Sequence, residues 1–283
     1  MRPLVSVVIP CYGKAKYLKK CIDSVLTQSY LNLEVIISND GDNSLELEQV
    51  LSEIESTDSI FPVKILRITE NYGVSHSRNL CIKNSNGVYV FPLDGDDFIH
   101  QDCIYELVNV IHNNEQVGVV FPLTAFISQD GKCIPRYDCC YPAGYEILQA
   151  NHVPSAHLYR KSDWVAINGY RESLKFGCED WDFNIRMVSL GKQTVRVNKF
   201  YLFYRQVMQS RNAKVLADES RRTKIEIEIL FTNIDTITTH SNIYRKQFSL
   251  KFKLFQKIKD IIVIRYYFWG QYFAIKCTKN KFL

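Results

Sequence analysis

Three carboxylates fall within four residues at Asp94-Gly95-Asp96-Asp97. At that spacing they repel one another unless a cation joins them. Hard oxygen ligands of this kind suit Mg²⁺ or Mn²⁺, ions that keep part of their water and share a substrate's phosphates. An isolated acidic turn is ordinarily a solvated loop. Here an apolar run, Val88–Leu93, leads directly into it, and a second acidic turn, Asn39-Asp40-Gly41-Asp42, lies upstream. The EF-hand spacing is absent. Asn, Asp and Gly favour a tight turn, and Asp40 could equally accept a hydrogen bond from a nucleotide base edge. A third acidic group, Gly177-Cys178-Glu179-Asp180-Trp181-Asp182, opens a helical stretch. Acids in a first turn cap the helix and compensate its dipole. One of them can also serve as general base toward a bound hydroxyl.

Groups so far apart in the chain need a scaffold that brings them together. Val5–Ile9 is a short β-branched run ending at Pro10, and similar strand signals recur at Leu33–Ser38, Val63–Ile68 and Val88–Leu93. Helical spacing falls between them: Leu18, Cys21, Ile22, Val25 and Leu26 within 14–28, then stretches near 45–54 and 75–84. Strands alternating with helices predict an α/β fold, a mostly parallel nucleotide-binding sheet flanked by helices. In such sheets the ligand crevice lies beyond the carboxyl ends of the strands. Pro10-Cys11-Tyr12, the Asp40 turn and the Asp94–Asp97 turn all follow predicted strands. Further on, the pattern predicts a helix near 101–113, strands at 117–122 and 156–160, and a turn at Asn168-Gly169. A helix from about 179 to 190, strands near 194–197 and 201–204, and a helix at about 218–234 complete it.

Charge is distributed unevenly over the 283 residues. Residues 1–244 carry 25 Lys+Arg and 29 Asp+Glu, whereas 245–283 carry 10 Lys+Arg and one acid, Asp260, so the formal charge of +5 belongs to the tail. Nine cysteines occur without a C-x-x-C pair, which excludes zinc-ribbon and thioredoxin-like motifs and predicts reduced thiols. The N-terminus shows no signal-peptide core, and no run of 18 apolar residues predicts a membrane span.

In their order along residues 4–205, the motifs resemble the family 2 glycosyltransferases, which are inverting nucleotide-sugar enzymes with the A-type glycosyltransferase fold. The matching pieces are Val5–Tyr12, Val35–Gly41, Asn71-Tyr72-Gly73 with Ser77-Arg78-Asn79, Gly87–Asp97, Gly169-Tyr170, and Gly177–Asp182 with Arg186. The resemblance implies that Pro10 and Tyr12 flank the nucleoside, Asp40 reads the base (most often uracil), and Arg78 faces the diphosphate. It implies Asp94 near the ribose or sugar, Asp96 on a divalent metal (Mn²⁺ or Mg²⁺), and Asp97 as their neighbour. Asp180 becomes the base that deprotonates the acceptor hydroxyl, with Glu179 and Trp181 beside the acceptor. The implied activity moves a sugar, from a UDP-sugar by preference, to a glycan or lipid-linked acceptor in bacterial-type surface polysaccharide synthesis. The sequence departs from the family pattern at Gly13, where Asn is usual, at His76, where small residues are usual, and after Tyr204-Arg205, where many members carry a His. Two rival readings are a nucleotide-sugar-binding partner subunit without turnover and a nucleotidyltransferase. The second would want a Gly-rich basic loop after the first strand, which Cys11-Tyr12-Gly13-Lys14 does not provide.

On this reading residues 1–215 form the catalytic domain, with a nucleotide-binding part to about 98 and an acceptor part after it. Residues 216–283 form a helical, basic and aromatic extension. In a helix, Phe248, Phe252, Phe255, Ile258 and Ile262 share one face with Lys246, Lys253 and Lys257 opposite, a pattern suited to an anionic membrane interface. A helix packed on protein is the alternative, and no nucleic-acid module accompanies the charge. The expectation is a cytoplasmic enzyme held peripherally at the inner face of the membrane. Removing residues 245–283 is then expected to abolish co-sedimentation with anionic liposomes, and unchanged co-sedimentation would refute the membrane role.

Overall fold

The structure is a computed structural model that describes residues 2–135, 147, 151, 153–175, 177–207 and 218–244. The basic tail at 245–283, with its expected amphipathic face, lies outside the described residues. Residues Met1–Ile237 form one compact unit, which holds the elements below as far as the start of the last helix, and Thr238–Leu283 form a second.

The first strand, β1 (Val5–Cys11), is buried at every position. It pairs in parallel with β2 (Leu33–Asp40) on one side and β4 (Tyr89–Pro92) on the other, and β3 (Val63–Ile68) lies outside β2, also parallel. Helical crossovers α1 (Ala15–Leu26), α2 (Leu45–Ser56) and α3 (Val74–Lys83) connect them. Because side chains alternate along a strand, the two faces need separate covers. Val5, Val7, Ile9, Val35 and Ile37 share a core with Leu18, Cys21, Ile22 and Val25 of α1 and with Leu47 and Leu51 of α2. Val8 and Ile36 point the other way, toward the face where α3 packs on β1 and β2. Burial on both faces is the reason these strands read as continuous apolar runs.

Beyond β4 the sheet becomes mixed. The later elements are β5 (Phe98–Ile99), α4 (Cys103–His112), β6 (Val117–Ile127), β7 (Leu158–Arg160), α5 (Lys161–Ala166), α6 (Glu179–Val188) and β8 (Gln193–Arg205). The described strands make one eight-stranded sheet in the order β3-β2-β1-β4-β7-β6-β8-β5. β7 runs antiparallel to both β4 and β6, β8 is parallel to β6, and β5 is antiparallel to β8. The two strands expected near 194–197 and 201–204 are one continuous strand. Exposed Asn198, Lys199 and Phe200 break the apolar pattern between them, and register shifts around Leu123 absorb the irregularity. Two helices follow, α7 (Glu219–Thr232), capped by the Asp218 carboxylate, and α8 (Ile234–Tyr244). No helix among the described residues is long and apolar enough to cross a membrane.

The start of β4 is fixed by a compact polar knot. Gly87 N–H donates to Ser6 Oγ (2.8 Å) and to Glu34 Oε1 (3.0 Å), and Ser6 Oγ donates to the same carboxylate (2.6 Å). One glutamate from β2 thereby sets β4 against β1, and β4 carries the acidic turn at its far end. A Cβ on Gly87 would stand 2.7 Å from Ser6 N and from Tyr89 O, both backbone atoms with no room to yield. Gly87→Ala is therefore expected to lower stability by about 1–3 kcal/mol in urea unfolding. An unchanged midpoint would show that the knot can open without cost.

Candidate active site

The carboxyl ends of β1, β2 and β4 meet at a cleft of about 280 Å³. Of the residues expected to bind the donor, Pro10, Tyr12, Asp40, Asp94 and Asp96 line it, joined by Lys14, Lys175, Tyr204 and Arg205. Tyr12 is 53% exposed, a ring standing free at the rim beside the left-handed Gly13. Asp40 is buried at the end of β2. Its two oxygens accept the N–H groups of Tyr72 (3.0 Å) and Gly73 (2.9 Å), which pins the loop between β3 and α3 against the cleft. Asp42 accepts N–H donations from Gly13 (2.8 Å) and Ser44 (2.9 Å). Partial burial works upward on its pKa, but these donors hold the carboxyl below its ordinary value.

The acidic turn after β4 divides its three carboxylates among different tasks. Asp94 accepts Arg78 Nη2 on Oδ1 (2.7 Å) and Ser155 Oγ on Oδ2 (3.1 Å). Asp96 faces the cleft with the Lys14 ammonium against its Oδ2. Burial raises its pKa, Lys14 works against that rise, and Asp94 adds to it. Asp97 turns away from the cleft and accepts the Arg205 N–H (2.8 Å), and burial among its acidic neighbours pushes its pKa well up. Arg205 spends its own side chain on backbone: Nε on Asp96 O (3.0 Å), Nη1 on Ser128 O and Gln129 O.

Arg78, which the resemblance places toward the diphosphate, is set differently. It is 1% exposed, with Nη2 on Asp94 and Nη1 on Glu179 Oε1 (2.9 Å). Desolvation opposes its charge, but the two carboxylates hold the guanidinium firmly protonated. It serves the cleft through Asp94 from behind the wall. Glu179 and Trp181, implied beside the acceptor, also turn inward: Glu179 is 2% exposed against Arg78, and Trp181 Nε1 donates to Ile147 O (2.6 Å).

That leaves Asp180 as the acid of this group that reaches the surface in part. Cys178 precedes α6 in the left-handed conformation (φ 59°), and the first turn carries Glu179, Asp180 and Asp182 at the positive end of the helix dipole. Asp180 Oδ1 accepts Asn151 Nδ2 (3.1 Å) and the Trp181 N–H (2.8 Å). Loss of solvation, then the adjacent Glu179 carboxylate, raise its pKa to about 6. The helix itself is anchored by Asp182, fully buried and met by Arg171 (2.8 Å), Arg186 (2.7 Å) and Asn233 (2.8 Å).

The family model described as Glycosyl transferase family 2 matches residues 6–163, more than half of the chain. The chain belongs to glycosyltransferase family 2. This glycosyltransferase is 39% identical to glycosyltransferase GlyA of Streptococcus pneumoniae over 219 residues, 71% of this chain and 30% of that protein. It is 26% identical to the chondroitin synthase of Pasteurella multocida over 216 residues, 75% of this chain and 21% of that protein. The transferase thus spans about a fifth to a third of the length of these relatives. Its fold is that of Staphylococcus aureus TarS. The crystal structure of TarS 1-349 with UDP-GlcNAc matches at a TM-score of 0.60 and 17% identity, over 88% of this chain and 77% of that one. The fold is A-type, as the resemblance implies.

The sequence reading does not single out Lys14, Lys175, Asn151 or Ser155. Lys14 carried one usable signal, a basic residue directly after a strand end in an α/β fold, where ligands bind. The other three lie in the acceptor half, where loop residues meet the site only through folding. Among the described residues no three His, Cys, Asp or Glu side chains converge as a metal site. Asp96 presents its carboxylate to the cleft beside Asp94, an arrangement that suits an ion completed by water and a substrate's phosphates. Arg78→Met removes the guanidinium from the buried Glu179 and is expected to cost about 3–5 kcal/mol in urea unfolding. Adding Glu179→Met is expected to recover part of that loss, and a single variant as stable as the parent would mean the guanidinium is not holding the wall.

Proposed function

We propose that this glycosyltransferase moves a sugar from a UDP-sugar to a hydroxyl of a glycan or lipid-linked acceptor, with inversion at the anomeric carbon. The carrying observation is the buried Arg78, which ties Asp94 on the donor side to Glu179, the neighbour of Asp180. A proton acceptor is thereby held beside the nucleotide-sugar cleft. The UDP and UDP-GlcNAc complexes of TarS support the choice of donor, and the chondroitin and hyaluronan synthases of Pasteurella multocida support polysaccharide synthesis.

In the proposed reaction Tyr12 and Pro10 hold the nucleoside, Asp40 meets the base, and Asp94 meets the ribose or sugar. Asp180 takes the proton of the acceptor hydroxyl as its oxygen bonds to the anomeric carbon. The bond from that carbon to the diphosphate breaks on the opposite face, and UDP leaves with the electron pair. A hydroxyl is a weak nucleophile, so removing its proton in the transition state contributes about 10²–10⁴-fold in rate. Asp96 would hold a Mn²⁺ or Mg²⁺ ion, which when bound would neutralise charge on the departing diphosphate.

The test is the Asp180→Asn variant together with a pH profile of the parent. The variant is expected to lose about 10²–10⁴-fold in kcat while keeping its affinity for UDP. A base must be ionised to act. With the Asp180 pKa lifted from 3.8 to about 6, kcat/KM is expected to fall as pH drops below about 6 and to be level above it. Unaltered turnover in the variant, or a profile flat through pH 6, would overturn the assignment.

A further inference from the structure

The cleft holds a charge arrangement that the transfer reaction alone does not require. Lys14 is the residue before α1, and its ammonium lies against Asp96 Oδ2, the carboxylate that faces the cleft. The lysine side chain is 26% exposed and the aspartate 11%, so the pair is shielded but not sealed. The acidic turn packs onto the lysine stem: a Cβ on Gly95 would lie 3.6 Å from Lys14 Cβ and 3.6 Å from Pro10 O. The backbone of Lys14 is fixed as well, since its carbonyl accepts the N–H groups of Tyr17 (2.9 Å) and Leu18 (3.0 Å). Only the end of the lysine is free to move, on a flexible four-carbon stem.

The neighbouring charges cannot take over its task. Asp94 gives its oxygens to Arg78 and Ser155, and Asp97 faces the Arg205 N–H. Arg205 lines the cleft, but its Nε and Nη1 go to the carbonyls of Asp96, Ser128 and Gln129. Lys14 is thus the cation that meets the Asp96 side chain, the carboxylate on which a divalent ion is proposed.

We propose that Lys14 is the resident cation of Asp96, neutralising it until a divalent ion displaces it and then turning to the donor's diphosphate. The proposal rests on the metal reading of Asp96 given above. An ammonium and a dication repel each other at one carboxylate, so the lysine opposes an ion entering alone. When the diphosphate is present, the evicted ammonium gains a new anionic partner. Binding of the ion and of the nucleotide is thereby mutually reinforcing, and by linkage each strengthens the other by the same factor.

The experiment titrates the full-length protein with Mn²⁺, followed by the electron paramagnetic resonance signal of the free ion, with and without UDP. The parent is expected to bind Mn²⁺ weakly alone and more tightly with UDP. Lys14→Gln is expected to bind Mn²⁺ alone about tenfold more tightly, the scale on which one partly shielded ion pair competes. The gain from UDP is expected to shrink in that variant. Lys14→Arg, which keeps a cation, is expected to behave like the parent, and Lys14→Met provides a second neutral variant should the glutamine variant not fold. Equal Mn²⁺ affinity in the parent and both neutral variants would overturn the exchange while leaving the metal at Asp96. Mn²⁺ affinity unaltered by Asp96→Asn would overturn the exchange and the metal reading together.

Discussion

Arg78 lies 1% exposed with Asp94 at one end of its guanidinium and Glu179 at the other, so one charge is shared between the donor floor and the first turn of α6. Removing a guanidinium and a carboxylate from water costs several kcal/mol each, and their attraction offsets this only when the geometry is good and both ends are met. The three segments that supply these residues must therefore arrive together. Helix α3 brings Arg78, and its start is set by Asp40 through the N–H groups of Tyr72 and Gly73. Strand β4 brings Asp94 and is set by the knot of Ser6, Glu34 and Gly87. Helix α6 brings Glu179 and, one residue later, the proposed base.

A second buried centre closes the circuit from the other side. Asp182 draws Arg171, Arg186 and Asn233 to a carboxylate with no solvent access. Arg186 in turn donates to the carbonyls of Ile167 (2.6 Å) and Gly169 (2.7 Å), fixing the turn at Asn168-Gly169, both with positive φ. Asn79, the residue after Arg78, accepts the Tyr170 N–H (2.9 Å) on that same turn. A Cβ on Gly169 would stand 2.8 Å from Asn79 Oδ1, so the close approach itself requires glycine. The route from Arg78 through Glu179, Asp182, Arg186 and Gly169 returns to Asn79. Through Asn233 it also includes α7, which makes that helix a brace for the catalytic turn.

The sequence displays the parts of this circuit, but not the way they join. Strands such as Val5–Cys11 and Leu33–Asp40 are legible because burial on both faces leaves an unbroken apolar run. Helix α1 is legible because Leu18, Cys21, Ile22 and Val25 keep a helical period. The two-residue β5 and the six-residue α5 are too short to show any period, and β8 reads as two strands because its middle is exposed. The acidic turns are visible as spacing. The burial of Arg78 is not, since its partners lie 16 and 101 positions away and nothing local separates a guanidinium that meets a phosphate from one that meets two carboxylates. The pairing of Lys14 with Asp96 is illegible for the same reason, the two being 82 positions apart.

The partners of each acid separate the proposed base from the rest. Asp94 and Glu179 are met by a guanidinium, Asp96 by an ammonium, and Asp40 by two backbone N–H groups. Asp97 and Asp180 differ in accepting hydrogen bonds from neutral donors, and burial raises the pKa of both, as it does for Asp96. Asp97 is 2% exposed behind the cleft, where no acceptor hydroxyl can reach it. Asp180 combines neutral hydrogen-bond donors with partial access, and its pKa of about 6 lies where a base is both ionised near neutrality and able to hold a proton. Moving a cation next to Asp180 would remove that property without touching the donor cleft. The division of labour between Arg78, which holds Glu179, and the amide of Asn151, which meets Asp180, is thus what separates the wall of the site from the proposed base.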